Sequence, residues 1–520
     1  MGVCVSGKFK KSPQRCNLIS KSLISDAIIL KSKNYSDIHN DFEFLQVIGY
    51  GKFGTVREAK RKSSGKRYAI KSIQKEVLNN NHIVLRRELE ILSRIDHPNI
   101  IRLFESYEDE KYMHLVMELC TGGDLRDRII DKGSFTESEA ATILKKILGA
   151  VNYLHLNSIS HRDIKPDNFL YESKTSQEIK LVDFGMSTCF SKLAHMKSLA
   201  GSPGYLAPEV LKGSYNQSCD VWSLGVLLYY MLSSKLPFEG YTLHDIVSKS
   251  VKGAFRFADP EWDLITKEAK DLISKMLVVH PGNRITIDKA LSHKWFQIHS
   301  ENQKSNIPLH ILNSLKQSKA HSKLWQEALK VIVRNLNSLQ IQELKNAFTL
   351  IDKEKTGFIT VKSLEEAMSL SGFNIAREEI EKIMENVSYI HEGKINYTEF
   401  LLATLDKKKL FNEEIMWEAF CFFDRDRDGF INFEDFETSF KKCGSTFKEE
   451  ELKEIIVEFQ INENDKMDFE VFKEKIIAMN DSSTGEEFDM KTGENIIKTI
   501  ANNFETMAER NKSRPQIIIN

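Results

Sequence analysis

Five short motifs occur in a fixed order between residues 48 and 209, and they constrain the fold of this chain more than any other feature. They are IGYGKFGTV (48–56), YAIK (68–71), HRDIKPDN (161–168), DFG (183–185) and APE (207–209). The glycine-rich motif alone is a weak signal, but the order and spacing of the whole set make chance agreement negligible. The glycine-rich motif follows the strand-like sequence FEFLQ and does not open a helix, which argues against a dinucleotide-binding fold.

The residue types in these motifs suit the transfer of a phosphoryl group. Glycines at 49, 51 and 54 lack the Cβ atom that would keep backbone amides away from phosphates. Asn168 and Asp183 offer the hard oxygen ligands that Mg²⁺ prefers.

Residues 42–296, which carry all five motifs, resemble a eukaryotic protein kinase over the full length of that domain. The resemblance implies a bilobal fold with ATP and Mg²⁺ as cofactors, and Lys165 is typical of the serine/threonine-specific form. It also implies that DVWSLG (220–225) lies in a buried central helix and that Arg284 pairs with Glu209.

The resemblance further implies a role for each motif residue. Lys71 would hold the α- and β-phosphates and pair with an acid of the next helix, and the family pattern R-E-x-x-I-L selects Glu88 over Glu90. Asp163 would orient the attacking hydroxyl and accept its proton, while Asn168 and Asp183 hold magnesium. The ATP-binding residues would be Ile48, Gly49, Gly51, Gly54, Val56, Ala69, Lys71, Met117, Glu118 and Cys120.

Two further features concern the substrate and a switch. Asp124 and Asp167 lie where kinases that prefer basic peptides commonly place acids, although Asp124 could equally bind the ribose of ATP. Ser198 lies where many kinases take an activating phosphate, which could pair with Arg162; an unmodified loop serine is the alternative. Inactive relatives normally lack one of Lys71, Asp163 or Asp183. All three are present, so the sequence favours an active enzyme.

A second region, residues 336–480, contains four copies of one pattern. Twelve-residue loops begin at positions 352, 388, 424 and 460, which are 36 residues apart. Apolar anchors recur before each loop, at its eighth position and just after it: Phe348, Met384, Phe420 and Ile456; Ile359, Ile395, Ile431 and Met467; Leu364, Phe400, Phe436 and Phe472. This framework resembles the four EF-hands of a calmodulin-like domain, in which position eight forms a short strand shared by two loops.

The calcium ligands are less well kept than this framework. Loop one (352–363) ends in a serine, loop two (388–399) begins with a serine, and loop four (460–471) begins with glutamine and ends in valine. Loop three (424–435) alone has acids at positions 1, 3, 5 and 12; its expected ligands are the carboxylates of Asp424, Asp426, Asp428 and Asp435 and the carbonyl of Phe430. Asp435 is one methylene shorter than the usual Glu, which favours six-coordination and competition by magnesium. We expect one Ca²⁺ site, with loop one as a weaker second candidate.

Residues 297–335 form a basic junction between these two regions. They carry six Lys/Arg, and Leu324, Ala328 and Val331 or Ile332 recur at helical spacing. Such a segment is typical of calmodulin targets, and a helix packed permanently on the kinase is the alternative. Residues 341–480 carry 31 Asp/Glu against 19 Lys/Arg, so an acidic partner lies in the same chain and favours the first interpretation.

The order of kinase, basic junction and four EF-hand units resembles the calcium-dependent protein kinases of the plant and protist type. The fold class is then α+β multidomain: a bilobal kinase followed by an all-α calmodulin-like domain. The resemblance implies that the junction inhibits the kinase at rest and that calcium at the EF-hand domain relieves this inhibition. Two alternatives stay open: a calcium-insensitive kinase switched by phosphorylation at Ser198, and a non-catalytic scaffold that binds nucleotide and calcium.

The two ends of the chain lie outside these domains. Residues 1–41 are predicted to be flexible, and MGVCVS places Gly2 for N-myristoylation and Cys4 for palmitoylation, with a chance Gly-Cys pair as the alternative. Seven cysteines without a CxxC pair indicate a reducing cytoplasm, so we expect a cytoplasmic protein held at a membrane by its lipids. Residues 481–520 form a C-terminal extension, and no feature predicts binding to nucleic acid.

Overall fold

The structure is a computed structural model of the 520-residue chain. It describes residues 38–481 except for 52–53, 77–81, 191–195, 198–199, 300–306, 319–332, 334–335, 337, 374, 389–392, 406–412, 425–427, 433, 437–438 and 440–465. The acylation motif, Ser198, Asp426, most of the basic junction and the C-terminal extension after Asp481 therefore lie outside the described residues.

The smaller lobe is a five-stranded antiparallel sheet with strand order β1-β2-β3-β5-β4. A short helix α1 (Ile38–Asp41) precedes the sheet, and α2 (His82–Arg94) is inserted between β3 and β4. The strands are β1 (Phe42–Gly51), β2 (Gly54–Arg61), β3 (Arg67–Gln74), β4 (Leu103–Glu108) and β5 (Tyr112–Met117).

The larger lobe is mainly helical and packs around one long apolar helix. Its helices are α3 (Leu125–Lys132), α4 (Glu137–Leu156), α5 (Pro208–Leu211), α6 (Ser218–Ser233), α7 (Leu243–Lys252), α8 (Lys267–Met276), α9 (Ile287–Leu291) and α10 (Lys294–His299). Its short strands are β6 (Ile159–Ser160), β7 (Phe169–Tyr171), β8 (Ile179–Leu181) and β9 (Thr188–Cys189).

Helix α6 is buried along nearly its whole length, which explains its apolar sequence. Arg284 forms a buried, two-pronged ion pair with Glu209, at 2.6 and 2.9 Å, and its guanidinium lies over the ring of Trp222. A fork of this geometry satisfies both charges away from water.

The third unit is a set of helix-loop-helix pairs. Its elements are α11 (Leu309–Gln317), α12 (Ser338–Ile351), β10 (Ile359–Thr360), α13 (Val361–Leu370), α14 (Arg377–Val387), β11 (Lys394–Ile395), α15 (Tyr397–Thr404), α16 (Glu413–Phe423) and α17 (Phe469–Asp481). Together with the kinase lobes they give the α+β architecture that the sequence predicts.

The repeating apolar anchors form the core of this third unit. All of those within the described residues are buried, and only Ile456 lies outside them. Ile359 pairs with Ile395 between β10 and β11, and Ile431 forms the corresponding bridge with Met467. The 36-residue spacing thus places matching residues of paired loops side by side.

The described part of the junction packs with the EF-hand core. Ile311, Leu312 and Leu315 of α11 are buried in the same apolar cluster as the anchors, and so are Val333 and Leu336. Asn386 of α14 also donates a hydrogen bond to the carbonyl of Ser318, at 3.1 Å. The junction therefore begins on the kinase, where His299 lies 3.3 Å from Glu137, and its later described residues are held by the EF-hand unit. Within the described residues, none of the helices has the length and apolar character needed to cross a bilayer.

Candidate functional site

Three motif residues that lie far apart in the sequence meet at one buried point. The ammonium of Lys71 on β3 lies 2.7 Å from Glu88 Oε1 on α2 and 2.8 Å from Asp183 Oδ1. Lys71 and Glu88 are buried, whereas the carboxylate of Asp183 stays partly exposed. The structure selects Glu88 over Glu90, because Glu90 pairs instead with Arg94 on the exposed side of the helix.

Burial and charge act against each other on these groups. Burial by itself would lower the pKa of Lys71, but the carboxylates of Glu88 and Asp183 outweigh it and raise that pKa above its ordinary value. Burial would raise the pKa of Asp183, and Lys71 outweighs it and lowers the pKa. The pair therefore stays charged at neutral pH.

The glycine-rich turn joins β1 and β2 directly above this lysine. Gly49 pairs with Val56, Gly51 pairs with Gly54, and Ile48 lies exposed on the same strand. A Cβ atom added at Gly51 would lie 3.9 Å from Lys71 Cε, so this glycine faces the side chain of the lysine. A Cβ at Gly54 would collide with the carbonyl oxygen of Ser72, which shows that this glycine is also required for the close pairing of β2 with β3.

The predicted adenine-pocket residues lie at the connection between the lobes. Ala69 on β3 is the direct cross-strand partner of Met117 at the end of β5. The carboxylate of the next residue, Glu118, pairs with Lys180 of β8 at 3.0 Å, which ties the connection to the larger lobe. Cys120 is held among apolar neighbours, and burial raises the pKa of its thiol, so a neutral side chain faces this region.

The HRDIKPDN motif forms a second cluster beside the first. Asn168 Nδ2 donates to the carbonyl of Asp163 at 2.7 Å and to its Oδ2 at 3.2 Å, while Lys165 Nζ lies 3.0 Å from Oδ2. Ser202 completes the cluster, since its hydroxyl donates to Asp163 Oδ1 at 2.8 Å and accepts from Lys165 Nζ at 3.1 Å. The sequence prediction missed Ser202, whose only signal is its position shortly before the APE motif.

A fully buried carboxylate, that of Asp220 on α6, fixes the backbone of this motif. Asp220 accepts from the backbone amides of His161 and Arg162, at 3.0 and 2.8 Å, and from the hydroxyl of Ser160 at 2.9 Å. Arg162 needs this support because its φ of 68° is unfavourable for a residue with a side chain. The DVWSLG sequence predicted a buried helix here but not this role of its aspartate.

The residues proposed to recognise substrate already have partners within the chain. Asp124 caps α3 by accepting from the amide of Asp127 at 2.8 Å, and Asp167 pairs with Arg126 at 3.0 Å. Arg162 donates to the carbonyl of Met186 at 2.6 Å and to the hydroxyl of Tyr215 at 3.1 Å. The predicted partner of Arg162, a phosphate on Ser198, lies outside the described residues.

The described acidic residues of loop three have different partners. Asp424 accepts from the amide of Gly429 at 3.2 Å, and Asp435 accepts from the amide of Asn432 at 3.0 Å at the start of a helical turn. Asp428 forms an ion pair with Lys466 of loop four, whose ammonium also lies 5.5 Å from the ring centre of Phe430. This hydrogen bond to Lys466 lowers the pKa of Asp428.

The chemistry of loop three fits a hard divalent cation. Its described carboxylates lie within one twelve-residue loop, and Asp424 and Asp435 are buried and aimed back into it. In the part of the chain that the structure covers, no group of three or more acidic, histidine or cysteine side chains is gathered closely enough to hold a metal ion. To bind the ion, Asp428 would have to exchange Lys466 for it.

Comparison with known families and proteins agrees with this division of the chain. The family model for the protein kinase domain matches residues 42–296, and that for the EF-hand domain pair matches residues 341–405. The chain is 38% identical over 450 residues to Calcium-dependent protein kinase 3 of Plasmodium berghei (strain Anka), covering 85% of this chain and 80% of the relative. It is 35% identical over 452 residues to Calcium-dependent protein kinase 33 of Arabidopsis thaliana, covering 86% of this chain and 87% of the relative.

Replacing Lys466 by methionine should strengthen calcium binding to loop three, because the lysine competes with the cation for Asp428. We expect the dissociation constant to fall by about 2–5-fold, the range for loss of one exposed ionic contact. Isothermal titration of the full chain with calcium in millimolar magnesium measures the effect. The matched control is Lys473→Met on α17, whose lysine lies 3.5 Å from Glu470 and should leave the affinity unchanged. Unchanged or weaker binding by Lys466→Met would show that the lysine does not compete.

Proposed function

The chain belongs to the calcium-dependent protein kinase family, and from that premise we propose how its residues perform phosphoryl transfer and respond to calcium. It is a protein serine/threonine kinase regulated by calcium binding to its EF-hand domain. The observation that carries the catalytic proposal is the assembly of Lys71, Glu88 and Asp183 beside the Asp163 cluster. The similarity to calcium-dependent kinases does not favour the calcium-insensitive or the scaffold alternative.

The first cluster would bind and orient the phosphates of ATP. Lys71, kept charged by Glu88, would hold the α- and β-phosphates under the turn that contains Gly49 and Gly51. Asn168 and Asp183 would hold magnesium, which supplies charge neutralisation for the transferring group when it is bound. The adenine ring would lie among Ile48, Val56, Ala69, Met117, Glu118 and Cys120.

The second cluster would orient the hydroxyl that receives the phosphate. Asp163 would accept its proton, because its carboxylate is held in place by Asn168, Lys165 and Ser202. Lys165 carries a positive charge next to this carboxylate, where negative charge develops on the transferring group. Ser202 keeps both side chains in place through its two hydrogen bonds.

Acidic residues near the peptide groove support basic protein substrates. Asp167 holds Arg126 at the surface, and a substrate arginine could replace that internal partner at little cost because both side chains are well exposed. Asp124 already caps helix α3, so it would attract a basic substrate by its negative charge rather than by a direct contact.

Calcium would act at one site, loop three. Asp424, Asp426, Asp428 and Asp435 with the carbonyl of Phe430 supply oxygen ligands, and the short side chain of Asp435 supports weak or magnesium-competed binding. Loop one, the weaker candidate, ends in Ser363, whose hydroxyl caps α13 by accepting from the amide of Thr360 at 2.9 Å. The packing of α11 in the EF-hand core supports capture of the junction as the route by which the module releases the kinase.

We further propose that acylation at Gly2 and Cys4 attaches this cytoplasmic kinase to a membrane. A single myristoyl chain binds membranes with a constant of only about 10⁴ M⁻¹, so a palmitoyl chain at Cys4 and the nearby lysines would provide the second signal. The four cysteines within the described residues are free thiols, which supports a reducing compartment.

Replacing Asp163 by asparagine should abolish most phosphoryl transfer while leaving ATP binding intact. Loss of a positioned general base costs about 10²–10⁴-fold in rate, and Asp163 does not contact Lys71. Transfer of labelled phosphate to a basic peptide and titration with an ATP analogue give the two readouts. Asp263→Asn, at an exposed position of the larger lobe, is the control. Wild-type activity in Asp163→Asn would contradict this role, and no transfer by the wild-type chain despite ATP binding would favour the scaffold.

Replacing Asp424 by alanine should remove most of the calcium stimulation of activity, because position 1 is a direct ligand of loop three. Peptide phosphorylation is measured in calcium and in chelator for the wild type, for Asp424→Ala and for Glu354→Ala, an exposed acid of loop one. We expect Glu354→Ala to keep its stimulation. Equal wild-type activity in both conditions would reject calcium regulation, and full stimulation of Asp424→Ala would place the sensor elsewhere.

Replacing Gly2 by alanine should remove both lipids and release the protein from membranes, since palmitoylation generally follows the first attachment. Fractionation of cells that express the full chain, with labelled myristate, gives the distribution. Cys4→Ala should keep the myristate but weaken the attachment. Membrane association that is unchanged in Gly2→Ala would rule out this anchor.

A further inference from the structure

We propose that the first EF-hand pair, residues 338–405, stays docked on the larger kinase lobe with or without calcium, and that loop one is its docking element. Within the EF-hand domain, calcium-dependent movement is then confined to the half that follows residue 405. This inference rests on the proposed action of calcium through the EF-hand domain and specifies which half of that domain moves.

Loop one makes a direct, buried contact with helix α4. Asn152 Nδ2 donates to the carbonyl of Lys355 at 3.0 Å, and the ring of Phe358 packs on that of Tyr153 with 5.5 Å between centroids. Phe358 belongs to the apolar core of the kinase, not to that of the EF-hands. Gly357, with φ of 78°, lies so close to Tyr153 that an added Cβ would collide with the ring. The loop is therefore shaped to the surface of α4.

The same loop satisfies its own polar groups without a metal ion. Asp352 accepts from the amides of Thr356 and Gly357, at 2.9 and 2.8 Å, so both carboxylate oxygens have donors inside the loop. Lys355 is turned inward, and its ammonium donates to the carbonyl of Thr349. Since position 12 is Ser363, no terminal acid is available to close the loop around calcium. The docked shape does not depend on an ion.

A buried charge cluster adds a second point of attachment. Lys345 of α12 lies between two kinase carboxylates, 2.9 Å from Glu172 and 2.7 Å from Glu178, and it is only 5% exposed. Lys180 links Glu172 to Glu118 of the interlobe connection. Lys345 thus supplies a further positive charge to Glu172 and Glu178, which also pair with Lys180 and Lys146.

Loop two of the pair contributes a third contact. The amide of Thr398, near the end of that loop, donates to Asp96 Oδ2 at 2.7 Å. The amide of Asp96 donates in turn to the hydroxyl of Tyr153 at 2.9 Å, so the contact joins the one made by loop one. Neighbouring His97 is half-buried, and its desolvation together with the charges of Lys180, Lys355 and Lys345 lowers its pKa to about 3. The imidazole is neutral at physiological pH and adds no repulsion to the lysines.

Hydrogen exchange of the full chain, followed by mass spectrometry in calcium and in chelator, tests the inference. We expect peptides that cover residues 96–100, 149–156 and 343–360 to exchange within about twofold of each other in the two conditions, because docking needs no ion. Peptides that cover 413–439 should change with calcium. Exchange in residues 343–360 that is tenfold or more faster in chelator would overturn the proposal.

Substitutions at the contact distinguish loss of docking on the kinase from unfolding of the EF-hand pair. Lys345→Met and Phe358→Ala should accelerate exchange on both sides of the contact, by tenfold or more, in calcium and in chelator alike. Lys353→Met is the matched control, since this lysine of the same loop forms an exposed pair with Glu366 at 3.0 Å. A change in peptides of α14, which lies outside these contacts, would indicate unfolding of the pair. Asp96→Asn on the kinase side then gives the same test without altering the EF-hands.

The outcomes remain distinct from those of the proposed function. Equal protection in both conditions supports constant docking even if calcium fails to stimulate activity. Protection lost in chelator refutes constant docking even if stimulation is observed. Variants that leave exchange unchanged in both conditions refute the roles assigned to Lys345 and Phe358.

Discussion

The active site depends on the buried ammonium of Lys71, which binds carboxylates from two different parts of the chain. A buried charge that loses its partner is strongly destabilising, so β3, the helix that carries Glu88 and the segment that carries Asp183 must come together. This requirement positions the smaller lobe against the larger one. The glycine-rich turn and the interlobe connection then lie on either side of the same lysine.

Asp220 is a second buried charge on which the site depends, because it fixes the backbone of the HRDIKPDN motif. It holds two backbone amides of a segment with an unfavourable backbone angle, and the chemistry of Asp163 follows from that fixed backbone. A third cluster, around Lys180 and Lys345, joins the interlobe connection to the first EF-hand pair. Catalytic and regulatory parts of the chain are thus connected by paired charges away from water, where each partner is needed by the other.

Much of the site could be predicted from the sequence, because its residues occur in short motifs with fixed spacing. Lys71, Glu88, Asn168 and Asp183 lie where the motifs indicate, and the apolar anchors of the repeats are buried wherever they are described. Ser202 and Lys345 could not be found in this way. Lys345 lies 173 residues from its partner Glu172, and neither residue belongs to a pattern that local periodicity can reveal.

The sequence by itself determined the kinase chemistry and the four-repeat framework of this protein, since both are written in local patterns of residue type and spacing. Only the tertiary structure decided which basic side chain pairs with which carboxylate. It also showed that Gly54 is required by strand packing, that Lys466 occupies a carboxylate of loop three, and that loop one faces helix α4. These features depend on burial and on contacts between distant segments, and the free energy of such contacts exists only once the chain has folded.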